Sequence, residues 1–595
     1  MKKIFLTLFL FFCVFNLFAQ VAISPTHDFY SALEIWQNKK IVSNLPPLKP
    51  YPIYMVKNIL EDVLSSDDEK EIQIAQNLYN EIFNKSFHAN FEIFDYAKHS
   101  KEENNNLFFV KPGIFGDINL YQNLSFSYDF NIIAIHKYNN VKNLSTYDYV
   151  DQSIPVFSSL PYTFLDPAIV GPLKMFIEFE GGFTYEIKNF YVQAGINHLN
   201  FGSFYDDSIV LSPDAKHSAN FSFVINKNRW NYTHGLFALC ASNDKGIFFP
   251  DKFLILHSLN VKINKWLNAS FYETIIYGNR FDFSYLLPVP FMSSQALSYY
   301  SDNLTMGMTF DVGVFKDWIW YTDFIIDDLG VNELLKLDFD AKIRGSLKTG
   351  VKFSPSNSMS KIVDLINLNY TIVTPYMYTH WQENKNVLTG ENVFGNSNTA
   401  NFQNFTNFGK SFASQLWPNT DQIKLQIAIS PIQKLKIDFF TAFSRHANVN
   451  EDLTVDEAIE YLNAPKDAYV SDGSINNHQV VNGEYLHSAN SRFMFLTQDT
   501  KMYITQIGFE AKYDLPKYKF GKITLNLGYS FEYIYNWGVQ NNLFEGRAPK
   551  DGVAFEKDSS EPATETDVQK AISEWKNKLT NICSHYFKFS VKYVY

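Results

Sequence analysis

The chain has 595 residues and a formal charge of -11, from 51 basic and 62 acidic side chains. That balance excludes an electrostatic case for nucleic acid, which calls for a basic surface. Aromatic residues make up 17% and charged residues 19%, while mean hydropathy is slightly negative at -0.18. A bundle of membrane-spanning helices is excluded too, because each span must be apolar all round, whereas a barrel strand needs apolar residues only at alternate positions.

Met1, Lys2 and Lys3 precede an apolar run from Ile4 to Phe18, and Ala19 supplies a small residue near a cleavage point. This is the layout of a secretory signal peptide over residues 1–20. The run is too short to span a membrane comfortably. With Cys13 removed, only Cys240 and Cys583 remain, and no disulfide framework or cysteine metal site is implied.

The next segment, 21–86, has helical period. Phe29, Leu33 and Trp36 recur at i, i+4 and i+7, followed by Ile53, Val56, Leu60 and Leu64, then by Ile74, Leu78 and Ile82 after a capping-type Ser66-Asp67-Asp68. Three short helices are expected, the first two separated by Pro46, Pro47, Pro50 and Pro52. So small a bundle is marginal alone and should rest against something larger.

From residue 87 to 595 the period changes to two, with roughly eighteen strand candidates. Short turns such as Lys188-Asn189 and Asn264-Lys265 alternate with long connections at 381–419, 448–499 and 538–582. The fold class is therefore an all-β transmembrane barrel of about eighteen antiparallel strands, with a helical plug and helices in long external loops. Both termini are expected on the periplasmic side. In the strand from Asn303, Leu304, Met306, Met308, Phe310 and Val312 face lipid while Thr305, Thr309 and Asp311 face the lumen, since the opposite register would put an acid in lipid. The same test sends Glu178, Glu180, Glu273, Asp323, Asp327, Asp340, Lys342 and Arg344 inward, with Asp323 and Asp327 able to oppose Lys342 and Arg344. Trp230, Trp266, Trp318 and Trp320, just after short turns, suit an interfacial girdle.

Within the external connections, Thr454 to Glu457 forms a capping box, and Thr564 to Asp567 starts a helix whose stripe is Val568, Ile572, Trp575 and Leu579. The 381–419 connection, with Phe402, Phe405 and Phe408, has no regular period and is expected to be mobile. The final strand sets Phe587, Phe589, Val591, Tyr593 and Tyr595 on one face and Lys588, Ser590 and Lys592 on the other. An aromatic final residue resembles the signal by which outer-membrane barrels are recognised by the barrel-assembly machinery.

The stretch Tyr272-Glu-Thr-Ile-Ile-Tyr-Gly-Asn-Arg280, then Tyr285-Leu-Leu-Pro288, Ser301-Asp-Asn303, Asp311 and Tyr321-Thr-Asp-Phe-Ile-Ile-Asp-Asp328, resembles the Wzi family of capsule-assembly outer-membrane proteins. Phe201-Gly202 with Leu211-Ser212-Pro213, Trp417 to Asp421, and Ser444-Arg-His446 extend the resemblance over nearly the whole mature chain. It implies an eighteen-stranded barrel plugged from below by helices and closed above by loops, acting as a lectin that retains surface polysaccharide. The chain departs from the family in its expanded loops at 448–499 and 538–582.

No Gly-x-Ser-x-Gly, His-Glu-x-x-His or phosphate loop occurs among the scattered 13 histidines, so no catalytic or metal site and no cofactor is expected. His446 reads as a rim or wall residue. Asp327-Asp328 could pair as acids or hold calcium only across a bulge, because adjacent strand residues face opposite ways. Sugars are held by carboxylates, amides and aromatic faces. The candidate polysaccharide-binding residues at the external rim are Asn279, Arg280, Asp282, Asp302, Asn303, Asp327, Asp328, His380 and Trp381. A porin or uptake channel and a loop-based adhesin remain as alternatives. The expected partners are surface polysaccharide and outer-membrane lipid, with the chain a monomer in the outer membrane of a diderm bacterium.

Overall fold

A computed structural model describes residues 24–595 except 26, 84–86, 102–103, 122, 137–167, 243–247, 299–301, 330–335, 337–342, 381–400, 464–491, 517–520, 542 and 545–561. The expected signal peptide, Trp381, Asp340, Lys342 and the side chain of Asp328 lie outside the described residues.

Eighteen staves close into one antiparallel barrel. In chain order they are β1 (Phe87–Ser100), β2 (Asn104–Tyr121), β3 (Leu124–His136), β4 (Leu173–Ile187), β5 (Phe190–Asn197), β6 (Ser218–Asn226), β7 (Trp230–Ser242), β8 (Phe248–Lys262) and β9 (Leu267–Gly278). Then come β10 (Asn303–Val312), β11 (Trp318–Leu329), β12 (Ile343–Phe353), β13 (Val363–Val373), β14 (Thr420–Ile432), β15 (Leu435–Ala447), β16 (Lys501–Asp514), β17 (Lys522–Trp537) and β18 (Thr580–Val594). Every stave pairs with its neighbours in sequence, and β18 closes the circuit on β1, with Val594 opposite Asn90. A short strand, Ala168–Val170, pairs only with the end of β4.

The expected alternation holds on the outer wall. Met306 and Met308 are exposed while Asn303, Thr305 and Thr309 are buried, and Phe587 and Phe589 of β18 face outward. Trp230, Trp266, Trp318 and Trp320 stand exposed at the short-turn end, where aromatic side chains suit a membrane interface. No helix among the described residues is long and apolar enough to cross a membrane.

Three helices, α1 (Asp28–Asn38), α2 (Ile53–Leu64) and α3 (Glu69–Phe83), form the expected bundle. Phe29, Leu33, Trp36, Val56, Leu60, Ala75 and Leu78 meet in one core that reaches Tyr191 and Val224 on the inner wall. Lys39 bonds Asp68 and Glu71 at 2.8 Å each, tying α1 to α3. The bundle occupies the short-turn end. Lys40 donates to Gly313 O (2.6 Å), Asn44 to Lys227 O (2.8 Å) and Lys70 to Ser360 O (2.6 Å), all carbonyls of the short turns.

Two loop helices also form where expected. The helix α5 (Val455–Asn463) begins with the Thr454/Glu457 box, and α6 (Glu565–Asn577) with a Thr564/Asp567 box. Val568 and Trp575 are buried, with Ile572 and Leu579 packed beside them. The 401–419 part of the connection expected to be mobile is ordered by nonlocal packing: Phe402, Phe405 and Phe412 are fully or almost fully buried. Cys240 on β7 and Cys583 on β18 are free thiols.

One inward assignment fails. Glu273 pairs with the lipid-side Met306, and its neighbour Thr274 bonds Thr305 in the lumen, so Glu273 points out of the barrel. Avoidance of lipid by acids assumes that lipid covers the outer wall. Here protein covers it instead: the connection 279–302 folds back over the wall and leaves Glu273 only 4% exposed.

Candidate functional site

The lumen is crossed by chain that the alternating pattern does not reveal. The connection 198–217, between β5 and β6, turns inward and is anchored from both sides. From the plug, Leu48 and Lys49 pair with Phe201 and Asn200, and Lys49 Nζ donates to Gly202 O at 2.7 Å. Burial of Lys49 pulls its pKa down to about 7. From the wall, Asp323 accepts from Ser203 N (3.1 Å), Asp311 from Ser203 Oγ (2.6 Å), and Lys352 donates to Ser203 O (2.8 Å). Higher up, Lys348 donates to Asp207 and Lys424 to Asp206. Depth in the barrel acts to raise the Asp206 pKa, but Lys424 and Lys348 outweigh it and hold the group well below the usual carboxylate range. Asp323 therefore serves the inward loop, while its register partner across the sheet is Lys348 rather than Lys342.

Gly202 makes this path possible. Its φ of +101° lies in the region that favours glycine, and a Cβ there would collide with the Asp323 carboxylate. Replacing Gly202 with Ala is expected to lower stability by about 1–3 kcal/mol in denaturant titrations in detergent. An unchanged midpoint would show that the loop does not take this route.

Above the inward loop lies a cap. Ile209, Val210 and Leu211 of the loop join Met377, Tyr378, Phe405, Phe412 and Leu416 of the β13–β14 connection, Leu462 of α5, and Val539, Val568 and Trp575 around α6 in one continuous apolar cluster. Tyr378 OH donates to Ile209 O at 2.7 Å, and Ser212 N to Phe412 O at 2.8 Å. Plug, crossing loop and cap thus stack along the barrel axis.

The eight expected rim residues that are described, all but Trp381, divide into two groups. Arg280 forms a two-pronged bond to Asp302, one prong at 3.1 Å, and Tyr285 OH also donates to Asp302, at 2.5 Å. Asp282 caps the turn Phe283–Leu286 by accepting from Ser284 N at 2.9 Å. These three residues brace the 279–302 connection against the outer wall, beside an exposed Asn279 whose φ is +61°. Asn303 faces inward and donates to Gln403 O at 2.8 Å.

The second group lies on the inner rim. The β11–β12 register shifts between Ile326 and Asp328, so Asp327 sits in a bulge, the device that the paired acids require. The Asp327 carboxylate is buried, 3.9 Å from His380 Nδ1, and His380 keeps 29% of its side chain exposed. Asp328 lies opposite Arg344 in register, and the Arg344 guanidinium stacks over Tyr376 at 5.3 Å. His446 is fully buried, with Nδ1 2.9 Å from Thr420 Oγ1. No group of His, Cys, Asp and Glu among the described residues could hold a metal ion.

A closed antiparallel barrel with an exposed apolar outer band and tryptophans at one edge is suited to a bilayer. This chain is an outer-membrane β-barrel. No family model matches it, and no curated protein does. Among solved structures it is similar to Wzi of Escherichia coli, described as an outer-membrane protein involved in group 1 capsule assembly and a carbohydrate-binding β-barrel. That likeness has 9% identity and a TM-score of 0.49, and covers 96% of this chain and 99% of that one. It is also similar to OpdL of Pseudomonas aeruginosa, at 8% identity and a TM-score of 0.39 over 86% of this chain and 98% of that one. OccAB2 of Acinetobacter baumannii gives 7% identity and a TM-score of 0.40 over 86% and 97%.

The residues missed by sequence reasoning are those of the crossing loop. Phe201-Gly202 and Leu211-Ser212-Pro213 stand out as short motifs, but neither motif tells that the loop bends inward. The dense apolar content of 199–211, next to a short stave, was the available signal.

Proposed function

We propose that the protein binds and retains surface polysaccharide, capsule or exopolysaccharide, as a lectin in the outer membrane of a diderm bacterium, without turning it over. The observation that supports this reading over a porin is the crossing loop packed between plug and cap. An aqueous pore needs continuous polar space, whereas the cap and crossing loop share one apolar cluster, including Val210, Leu211, Tyr378, Phe412 and Trp575.

Within that reading, the inner-rim group is the better binding candidate. The Arg280 and Asp302 charges already satisfy each other, and Asn303 is held by Gln403. The part-exposed His380, beside the bulged and buried Asp327, supplies a hydrogen-bonding group, and Trp381, next in the chain, would supply an apolar face for a sugar ring.

The test is a triple variant, Asp327→Asn with His380→Ala and Trp381→Ala, checked for heat-modifiable barrel migration. Retention of surface polysaccharide by cells producing it should fall about tenfold, equivalent to about 1.4 kcal/mol. Full retention by the folded variant would remove these residues from the site. Failure of the unaltered protein to bind any surface glycan would overturn the lectin reading and leave the channel or the adhesin.

A further inference from the structure

The connection 279–302 has an unusual composition for an external loop. Between Phe281 and Ser298 the only charged side chain is Asp282, in an 18-residue stretch that includes three Phe, three Leu, Val289 and Met292. By contrast α5 carries three acids in nine residues. The described residues 279–298 of the connection do not rise away from the barrel. They lie down along the outer wall, where Tyr285 and Phe291 pack on Ile255, Ile275 and Tyr277, all outward-facing positions of β8 and β9.

How far it descends can be read from the β8–β9 ladder. Phe291 stacks on His257 with ring centroids 4.3 Å apart, and its backbone N–H donates to Glu273 at 3.1 Å. His257 and Glu273 face each other across the ladder and are joined at 2.6 Å. That pair is central, with five residue pairs above it and five below. Eleven pairs at about 3.4 Å per residue, tilted about 40°, span about 26 Å, close to the height of a barrel's apolar band. Phe291, first residue of the helix α4 (Phe291–Ser298), therefore sits near the middle of that band.

We propose that residues 279–298 of this connection form a strap embedded in the outer leaflet, its outer face in contact with lipid acyl chains. Two observations carry this. The strap's outer face is apolar: Phe283, Leu287, Met292 and Leu297 are 75%, 48%, 62% and 68% exposed, and it continues the lipid-facing band through Met306, Phe271 and Leu259. Its polar side chains Asp282, Ser284, Tyr285, Ser294 and Gln295 also bond within the strap or to Asp302, as a hydrocarbon surrounding favours. Asp282 caps Ser284, and Ser294 Oγ donates to Ser284 O at 3.0 Å. Gln295 donates to Asp302 O at 2.8 Å, and the Arg280–Asp302 pair clamps the two ends of the connection together. Glu273 accepts from the first turn of α4, where a carboxylate also complements the helix dipole. Water would make such economy unnecessary.

The experiment uses the full chain with Cys240→Ser and Cys583→Ser, reconstituted in vesicles of phosphatidylethanolamine and lipopolysaccharide at high lipid-to-protein ratio. A nitroxide is attached at Met292→Cys, at Ile507→Cys on the lipid face of β16, or at Gln569→Cys on exposed α6. Collision with oxygen, which concentrates in hydrocarbon, is compared with collision with a neutral nickel chelate, which stays in water. The oxygen-to-nickel ratio at Met292 should equal that at Ile507 and exceed that at Gln569 several-fold. A ratio like that of Gln569 would make the strap an aqueous loop and overturn the proposal. A label at Met292 shielded from both probes would also overturn it, and would assign the face to a second copy of the chain.

Discussion

The full-length protein should show no steady conductance in planar bilayers, and removing the plug together with the crossing loop should convert it to an open channel. Deleting residues 24–85 alone removes α1–α3 and the Leu48–Lys49 partner of Asn200–Phe201. The crossing loop then loses its lower anchor but keeps the bonds of Asp323, Lys348, Lys352 and Lys424 from the wall. Brief openings are expected from that deletion, not a stable pore. Replacing 199–214 by a short linker in addition removes Phe201, Ile209, Val210 and Leu211, the floor on which the cap cluster rests. Steady conductance higher by at least an order of magnitude should follow. The staves do not depend on this filling, because their ladder hydrogen bonds run unbroken around the circuit. A steady, large conductance from the unaltered protein would contradict the stacked closure and make the channel the first reading.

Trp575→Ala should detach the cap while sparing the barrel. Trp575 is 1% exposed, lies in the cluster with Phe412, Leu416 and Val539, and donates from Nε1 to Gly538 O at 3.2 Å. Truncating a large core aromatic costs about 3–5 kcal/mol. It also leaves that carbonyl without its indole donor. The 13-residue α6 is then held by the smaller Val568, Ala571, Ile572 and Leu579 and by the Lys576–Glu451 ion pair, so its connection should become more open to protease within 538–579 on intact cells. Heat-modifiable migration should be unchanged. Resistance equal to the unaltered protein would mean that α6 is secured elsewhere.

Much of the fold was legible because its cause is local. A stave facing lipid on one side and the lumen on the other must alternate, and all eighteen staves overlap the period-two segments in order, as do α1–α3, α5 and α6 with their caps and stripes. Boundaries slipped where a turn lacks a strong signal. Pro431-Ile432 reads as a turn, yet β14 runs on to Ile432 and the turn falls at Gln433-Lys434.

The rim residues were legible in kind but not in role. Charged and amide side chains at the ends of staves invite a ligand, yet Arg280 and Asp302 close on each other when the 279–302 connection folds down. Sequence gives no distance between two residues separated by a loop. The bulge at Asp327 was foreseen only as a requirement, since the β11–β12 register shift that creates it is a property of two strands together.

The sequence by itself determined a barrel of staves with a helical plug and helical caps, because period, capping and turn residues act over a few neighbours. Only the tertiary structure decided what lies inside and outside that wall. A parity rule sends every acid inward on the premise that lipid is the sole neighbour outside, and Glu273 breaks it because His257 and the start of α4 take the place of lipid there. In the same way, Phe402 and Phe405 lack a period because Phe402 is ordered by Ala241 and Phe249 of the wall and Phe405 by the inward loop and cap, not by their own backbone. Connections carry little repeating pattern of their own, and their course is set by contacts between segments far apart in the chain.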